Sequence, residues 1–152
     1  MDRPAPGYHH CRTSPWREEV VEPTARSLEA SRYAPSEARR HVADACAGWP
    51  TSIVDIARLL TTEVVTNAVV HGAGKVGLVV AVSRHVLRVE VSDDSPALPV
   101  PVPRTSPVQH GGRGLHILAA MATAWGVEPR RGRPGKTVWF ELRAAVTGMS
   151  RR

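Results

Sequence analysis

The chain has 152 residues, 42% hydrophobic and 22% charged, which fits one globular domain with irregular ends. Twenty basic against fourteen acidic residues give a net charge of +6, but the arginines are scattered and only 5% of residues are aromatic, so no direct nucleic-acid partner is expected. No apolar run approaches the ~20 residues of a membrane span, and the opening Met1-Asp-Arg-Pro-Ala-Pro-Gly7 lacks the apolar segment of a secretion signal, so the expected setting is the cytoplasm, with no membrane partner.

Residues 1–23 carry Pro4, Pro6, Pro15 and Pro23 without a sustained period, and are expected to form a flexible tail. His9-His10-Cys11 has no second ligand cluster elsewhere and is read as part of that tail rather than as a metal site. The folded domain is expected over residues 24–145, followed by a second tail at 146–152.

Ser27 to Tyr33 alternates loosely and predicts an edge strand. Pro35 to Ala47 predicts a helix, with proline in its first turn, a small buried thiol at Cys46 and Gly48 at its end. Thr51 or Ser52 is placed to cap the next helix, which runs to the stop signals Gly72 and Gly74. Strands are predicted at 75–82 and 86–92, joined by a short turn at Arg84-His85. Residues 93–112 are rich in proline and glycine, and a loop of that length inside a compact domain is usually functional or disordered. A short helix over Gly114–Ala122 and strands at 123–128 and 136–142 complete the pattern. This order predicts an α+β domain: one mixed, mostly antiparallel sheet with helices on one face.

Polar and glycine-rich residues collect at three places. Glu63, Asn67 and His71 are spaced four apart, which keeps them on nearly one face of the long helix. Ile53, Ile56, Leu59, Leu60 and Val64 fall on the same arc, so Glu63 and Asn67 project from the face expected to be buried. Taken alone, they fit either a ligand site or core polar groups bonded to nearby backbone. Asp93-Asp94-Ser95-Pro96 ends a strong strand, and a carboxylate there can accept from an exocyclic amine. Gly111-Gly-Arg-Gly-Leu115 opens a helix, where backbone N–H groups suit a phosphate. An amide oxygen suits Mg²⁺, and a carboxylate one turn away can orient or deprotonate a nucleophile. No Walker motif is present.

In this order the three stretches resemble the GHKL ATPases, the superfamily of the gyrases and histidine kinases. Glu63-x-x-x-Asn67-Ala-x-x-His71-Gly72 resembles the N-box, Val91-Ser-Asp93 the first glycine box, Gly112-Arg-Gly-Leu115 the second, and Lys136-Thr-Val-Trp-Phe140 the closing strand. The resemblance covers residues 27 to about 143 and is strongest to the anti-sigma-factor serine/threonine kinases of actinobacterial type. It implies a Bergerat fold, a two-layer sandwich that binds ATP with Mg²⁺. Asn67 would hold the metal and Glu63 would be the catalytic carboxylate. Asp93 would contact the adenine amine, supported by Thr137. Gly112, Arg113, Gly114 and Leu115 would line the phosphates, and residues 94–111 would form a lid. His71 would end the N-box helix. A sigma factor and an anti-anti-sigma (STAS) protein are the implied partners, and the branch implies a homodimer. No phosphoacceptor-histidine helix precedes the domain, so a sensor histidine kinase is not expected.

One departure stands out. The first glycine box is normally Asp-x-Gly-x-Gly, and here Ser95 and Ala97 replace both glycines, with Pro96 between them. Proline stiffens a segment that bends around nucleotide in the family. The change motivates a second reading: a regulatory binding module, binding ATP or independent of nucleotide, with little or no kinase activity.

Overall fold

The computed structural model describes residues 23–97 and 113–144. All but the last residue of the first expected tail, all of the second, most of the expected lid, and His9, His10, Cys11, Gly111 and Gly112 lie outside the described residues. The element order is β1 (Thr24–Leu28), α1 (Ala34–Ala45), α2 (Thr51–His71), β2 (Val76–Val82), β3 (Val86–Asp93), α3 (Arg113–Met121), β4 (Ala124–Pro129) and β5 (Lys136–Arg143).

The five strands form one sheet in the order β1-β2-β3-β5-β4. Every pairing among the described strands is antiparallel, and with the helices on one face this is the α+β two-layer architecture expected from the sequence. The hairpin β2–β3 pairs Val82 with Leu87 and Gly77 with Ser92. Side chains alternate across a strand. Val76, Leu78 and Val80, then Leu87, Val89 and Val91, then Val138, Phe140 and Leu142 therefore share one face. All nine are core residues, and the helices cover them through Val42, Leu60, Val64, Val65 and Leu118.

The opposite face carries a buried polar cluster. Arg88 donates to Glu90 Oε1 at 2.7 Å and to Glu141 Oε1 at 3.0 Å, and its guanidinium lies 4.1 Å from the centre of the Trp139 ring. Gly126 sits against that indole, where a Cβ would come within 2.9 Å of it. Arg88 on β3 and Glu141 on β5 are both buried.

The edge strand is present but lies upstream of its expected place. Ser31 turns the chain: its N–H donates to Glu29 O at 2.8 Å and its hydroxyl accepts from Tyr33 N at 3.2 Å. Only Leu28 of β1 is buried, so no alternation marks the strand, and pairing with Val76–Val80 fixes it instead. Pro35 sits in the first turn of α1, and Gly48 follows that helix at φ +86°. Neither Thr51 nor Ser52 caps α2; Pro50 is its N-cap and no side chain bonds there.

The buried arc of α2 is rotated from the expected one. Ala57, Leu60, Thr61, Val64, Val65 and Ala68 are buried, whereas Leu59 is 41% exposed. Helix α1 packs along one side of α2, tied to it by Arg39 donating to Thr62 Oγ1 at 3.1 Å, so the arc spans two neighbours rather than one. Among the described residues no helix is long and apolar enough to cross a membrane.

Cys46, just beyond α1, is buried as expected, and burial pushes its thiol up to about 11. In a Cys11→Ser background, a thiol reagent at pH 8 should leave the native protein essentially unlabelled and react fully only after denaturation. Fast labelling of native protein would contradict this burial.

Candidate active site

The C-terminal half of α2 supplies Glu63 and Asn67 at the rim of its buried arc, both half-buried. The start of α3 is set directly on them. A Cβ added to Gly114 would lie 2.6 Å from Asn67 Nδ2 and 3.7 Å from Glu63 Cβ. A side chain there would displace the Asn67 amide from its present position, so glycine lets the start of α3 lie directly against that group. The first turn of a helix has N–H groups without intrahelical acceptors and carries the positive end of its dipole. Helix α3, nine residues long, thus aims these donors beside an amide and a carboxylate.

Asp93 ends β3 on the helix side of the sheet and is only 2% exposed. Its Oδ1 accepts from Ser95 N at 2.8 Å and from Lys136 Nζ at 3.0 Å. Its walls are backbone. A Cβ on Gly72, at the end of α2, would come within 2.8 Å of Asp93 Cγ, and one on Gly135 would run into the Asp93 carbonyl oxygen. Asp94 leaves the strand by donating its N–H to Ala73 O at 2.8 Å, while its carboxylate accepts from Arg130 Nη1 at 2.8 Å. Asn67 and Gly72 are separated by roughly 7.5 Å of helix axis. The two parts of the site therefore flank the last turns of α2.

The structure brings Glu63, Asn67 and Gly114 together, and places Asp93 at the other end of the same helix segment. Leu115 is a core residue, 4% exposed, so it anchors the start of α3. The backbone of Arg113 opens α3, and Gly112 lies outside the described residues. His71 is exposed. Thr137 is not beside Asp93: it pairs with Ser92 and points to the opposite face. Lys136 takes that place, directly across from Asp93. Sequence reasoning missed Lys136 because a lysine opening a strand reads as a surface charge. The signal that finds it is the register, which pairs the last residue of β3 with the first of β5.

The residues fit a nucleotide. Glycine cradles let backbone close around Asp93, an anion-attracting helix start faces Asn67, and the half-buried Glu63 stands one turn from Asn67. Among the described residues no cluster of His, Cys, Asp and Glu could by itself enclose a metal. A Mg²⁺ ion held by one amide oxygen, phosphates and water needs no such cage.

An antiparallel sheet layered with helices on one face, its polar groups gathered where β3, β5 and two helix ends meet, is the architecture of an ATP-binding α+β domain. The chain belongs to the family of histidine kinase-like ATPase domains, whose model matches residues 27–142. Among solved structures, the RsbU and RsbW domains of Rv1364c from Mycobacterium tuberculosis superimpose with a TM-score of 0.61 at 21% identity, covering 81% of this chain and 32% of that one. That likeness is one of fold, and the present chain spans about a third of the length of that protein. No curated protein matches the sequence.

Proposed function

We propose that the protein is an ATP-dependent protein serine/threonine kinase that acts as an anti-sigma factor and phosphorylates a STAS anti-anti-sigma protein. The observation that carries this reading is the seating of α3, through Gly114, on the Glu63–Asn67 strip, with Asp93 buried beyond it. Asp93 would hold the adenine amine, and the α3 N-terminus, with Gly112 and Arg113, would hold the phosphates. Bound at Asn67, Mg²⁺ supplies charge neutralisation on the phosphates. Glu63 accepts the proton of the acceptor hydroxyl as the serine or threonine oxygen bonds to the γ-phosphorus. The bond to the bridging oxygen breaks, and ADP leaves. Such transfer depends mostly on positioning and electrostatics.

The partners are proposed on the same basis: a sigma factor, the STAS acceptor and a second copy of the chain, in the cytoplasm. A surface feature supports an acidic partner. Ser36, Arg39, Arg40, Ala43 and Arg58 line an open hollow of about 400 Å³ between α1 and α2. Three guanidinium groups around one hollow attract carboxylates and steer association.

Incubation with Mg-ATP and the cognate STAS protein should label that protein on Ser or Thr. Absence of labelling alongside tight capture of the same partner would favour the second reading, a regulatory binding module. That reading draws on Ser95, Pro96 and Ala97 and on the ion pair that already engages Asp93. Calorimetry with Mg-ATP separates the nucleotide-independent form of it, because micromolar affinity excludes that form.

A further inference from the structure

The Asp93–Lys136 pair is poorly explained by stability. Lys136 is 7% exposed and Asp93 2% exposed, and removing each charge from water costs several kcal/mol. Well-packed apolar residues in the same place are often as stable or more so. The pair is also unsaturated. Both bonds to the carboxylate fall on Oδ1, and Lys136 uses one of its three ammonium donors there. Among the described residues Oδ2 and the remaining N–H groups make no hydrogen bond. An acceptor and a donor therefore stand side by side, walled by the backbone of Gly72 and Gly135.

We propose that Lys136 is a second base-reading residue, whose ammonium donates to ring nitrogen N1 of adenine while Asp93 accepts from the 6-amino group. Adenine presents that donor and that acceptor on adjacent atoms of one edge. Guanine in the same pose reverses both: its O6 meets the carboxylate and its N1–H meets the ammonium. The pair thus selects adenine by attraction at two points and rejects guanine by repulsion at the same two. Lys136 does here what Thr137, on the wrong face, cannot do. The inference rests on the nucleotide reading above. Its rival is that Lys136 plugs the site by occupying the position of the base amine.

The test is calorimetry with Mg-ATP, Mg-GTP and an ATP analogue in which C–H replaces N1. Wild-type protein should bind the analogue roughly 10- to 100-fold more weakly than ATP, as expected for a lost charge-assisted hydrogen bond. Lys136→Met should weaken ATP binding by a similar factor and bind ATP and the analogue alike. The preference for ATP over GTP should shrink in that variant. Equal wild-type binding of ATP and the analogue would overturn the assignment, as would tighter ATP binding by Lys136→Met, which is the signature of a plug. The wild-type comparison stands even where the variant fails to fold. Failure of wild-type protein to bind any of the three ligands overturns the nucleotide reading itself, which is a different result from binding ATP without regard to N1.

Discussion

Glu63→Ala and Glu63→Gln are both expected to lower phosphate transfer to the STAS acceptor by about 10²- to 10⁴-fold, the usual contribution of a positioned general base. Mg-ATP affinity should change by less than about threefold, because the proposed nucleotide contacts lie on other residues. The geometry explains the separation. Glu63 is one helical turn before Asn67, and its Cβ lies 3.7 Å from the Cβ position of Gly114. It stands next to the proposed phosphate seat rather than within it. Glutamine keeps the size and much of the packing of the side chain but cannot take a proton. A role in packing alone therefore predicts that Glu63→Gln retains activity and Glu63→Ala does not. Equal losses in the two variants, with binding intact, identify proton transfer. More than half of the wild-type rate in Glu63→Gln would remove Glu63 from the chemistry.

Much of this junction was legible in the sequence, and the reasons are local. Proline at the start of α1, glycine after it, and a four-residue spacing along α2 are signals that act within one or two turns. The alternation of Val86 to Asp93 is equally local, and it places Asp93 at the strand end on the core side. The misreadings concern relations between elements. The position of β1 depends on its pairing with β2, because four of its five residues are exposed and leave no pattern. The buried arc of α2 depends on where α1 lies, which is why Leu59 is exposed and Thr61 is not. Arg88 and Glu141 look like surface charges until the register sets them side by side under Trp139. Thr137 and Lys136 differ by one residue, and in a strand one residue is the other face of the sheet. A motif read without its register leaves open which of two neighbouring side chains stands beside Asp93, and the register places Lys136 there.

Gly135→Ala is expected to cost about 3–4 kcal/mol of stability in urea unfolding, against about 1–2 kcal/mol for Gly132→Ala in the same turn. Both glycines have positive φ, +127° at Gly135 and +74° at Gly132, so both substitutions force an L-residue into a backbone region it rarely adopts. The surroundings differ. A Cβ on Gly132 meets nothing within 4 Å, whereas one on Gly135 runs into the carbonyl oxygen of Asp93 and lies 3.1 Å from Asp94 Cα. Those neighbours are main chain and cannot rotate away. Relief has to come from moving the start of β5 away from the end of β3, the step that also separates Lys136 Nζ from Asp93 Oδ1. Gly135→Ala should therefore weaken Mg-ATP binding as well as stability, while Gly132→Ala should leave binding unchanged. Because φ also differs between the two sites, the stability difference reports twist and close approach together, and the binding difference is the readout for the contact with Asp93. Similar stability losses in both, with unchanged nucleotide affinity, would show that the contact between Gly135 and Asp93 does not shape the base subsite.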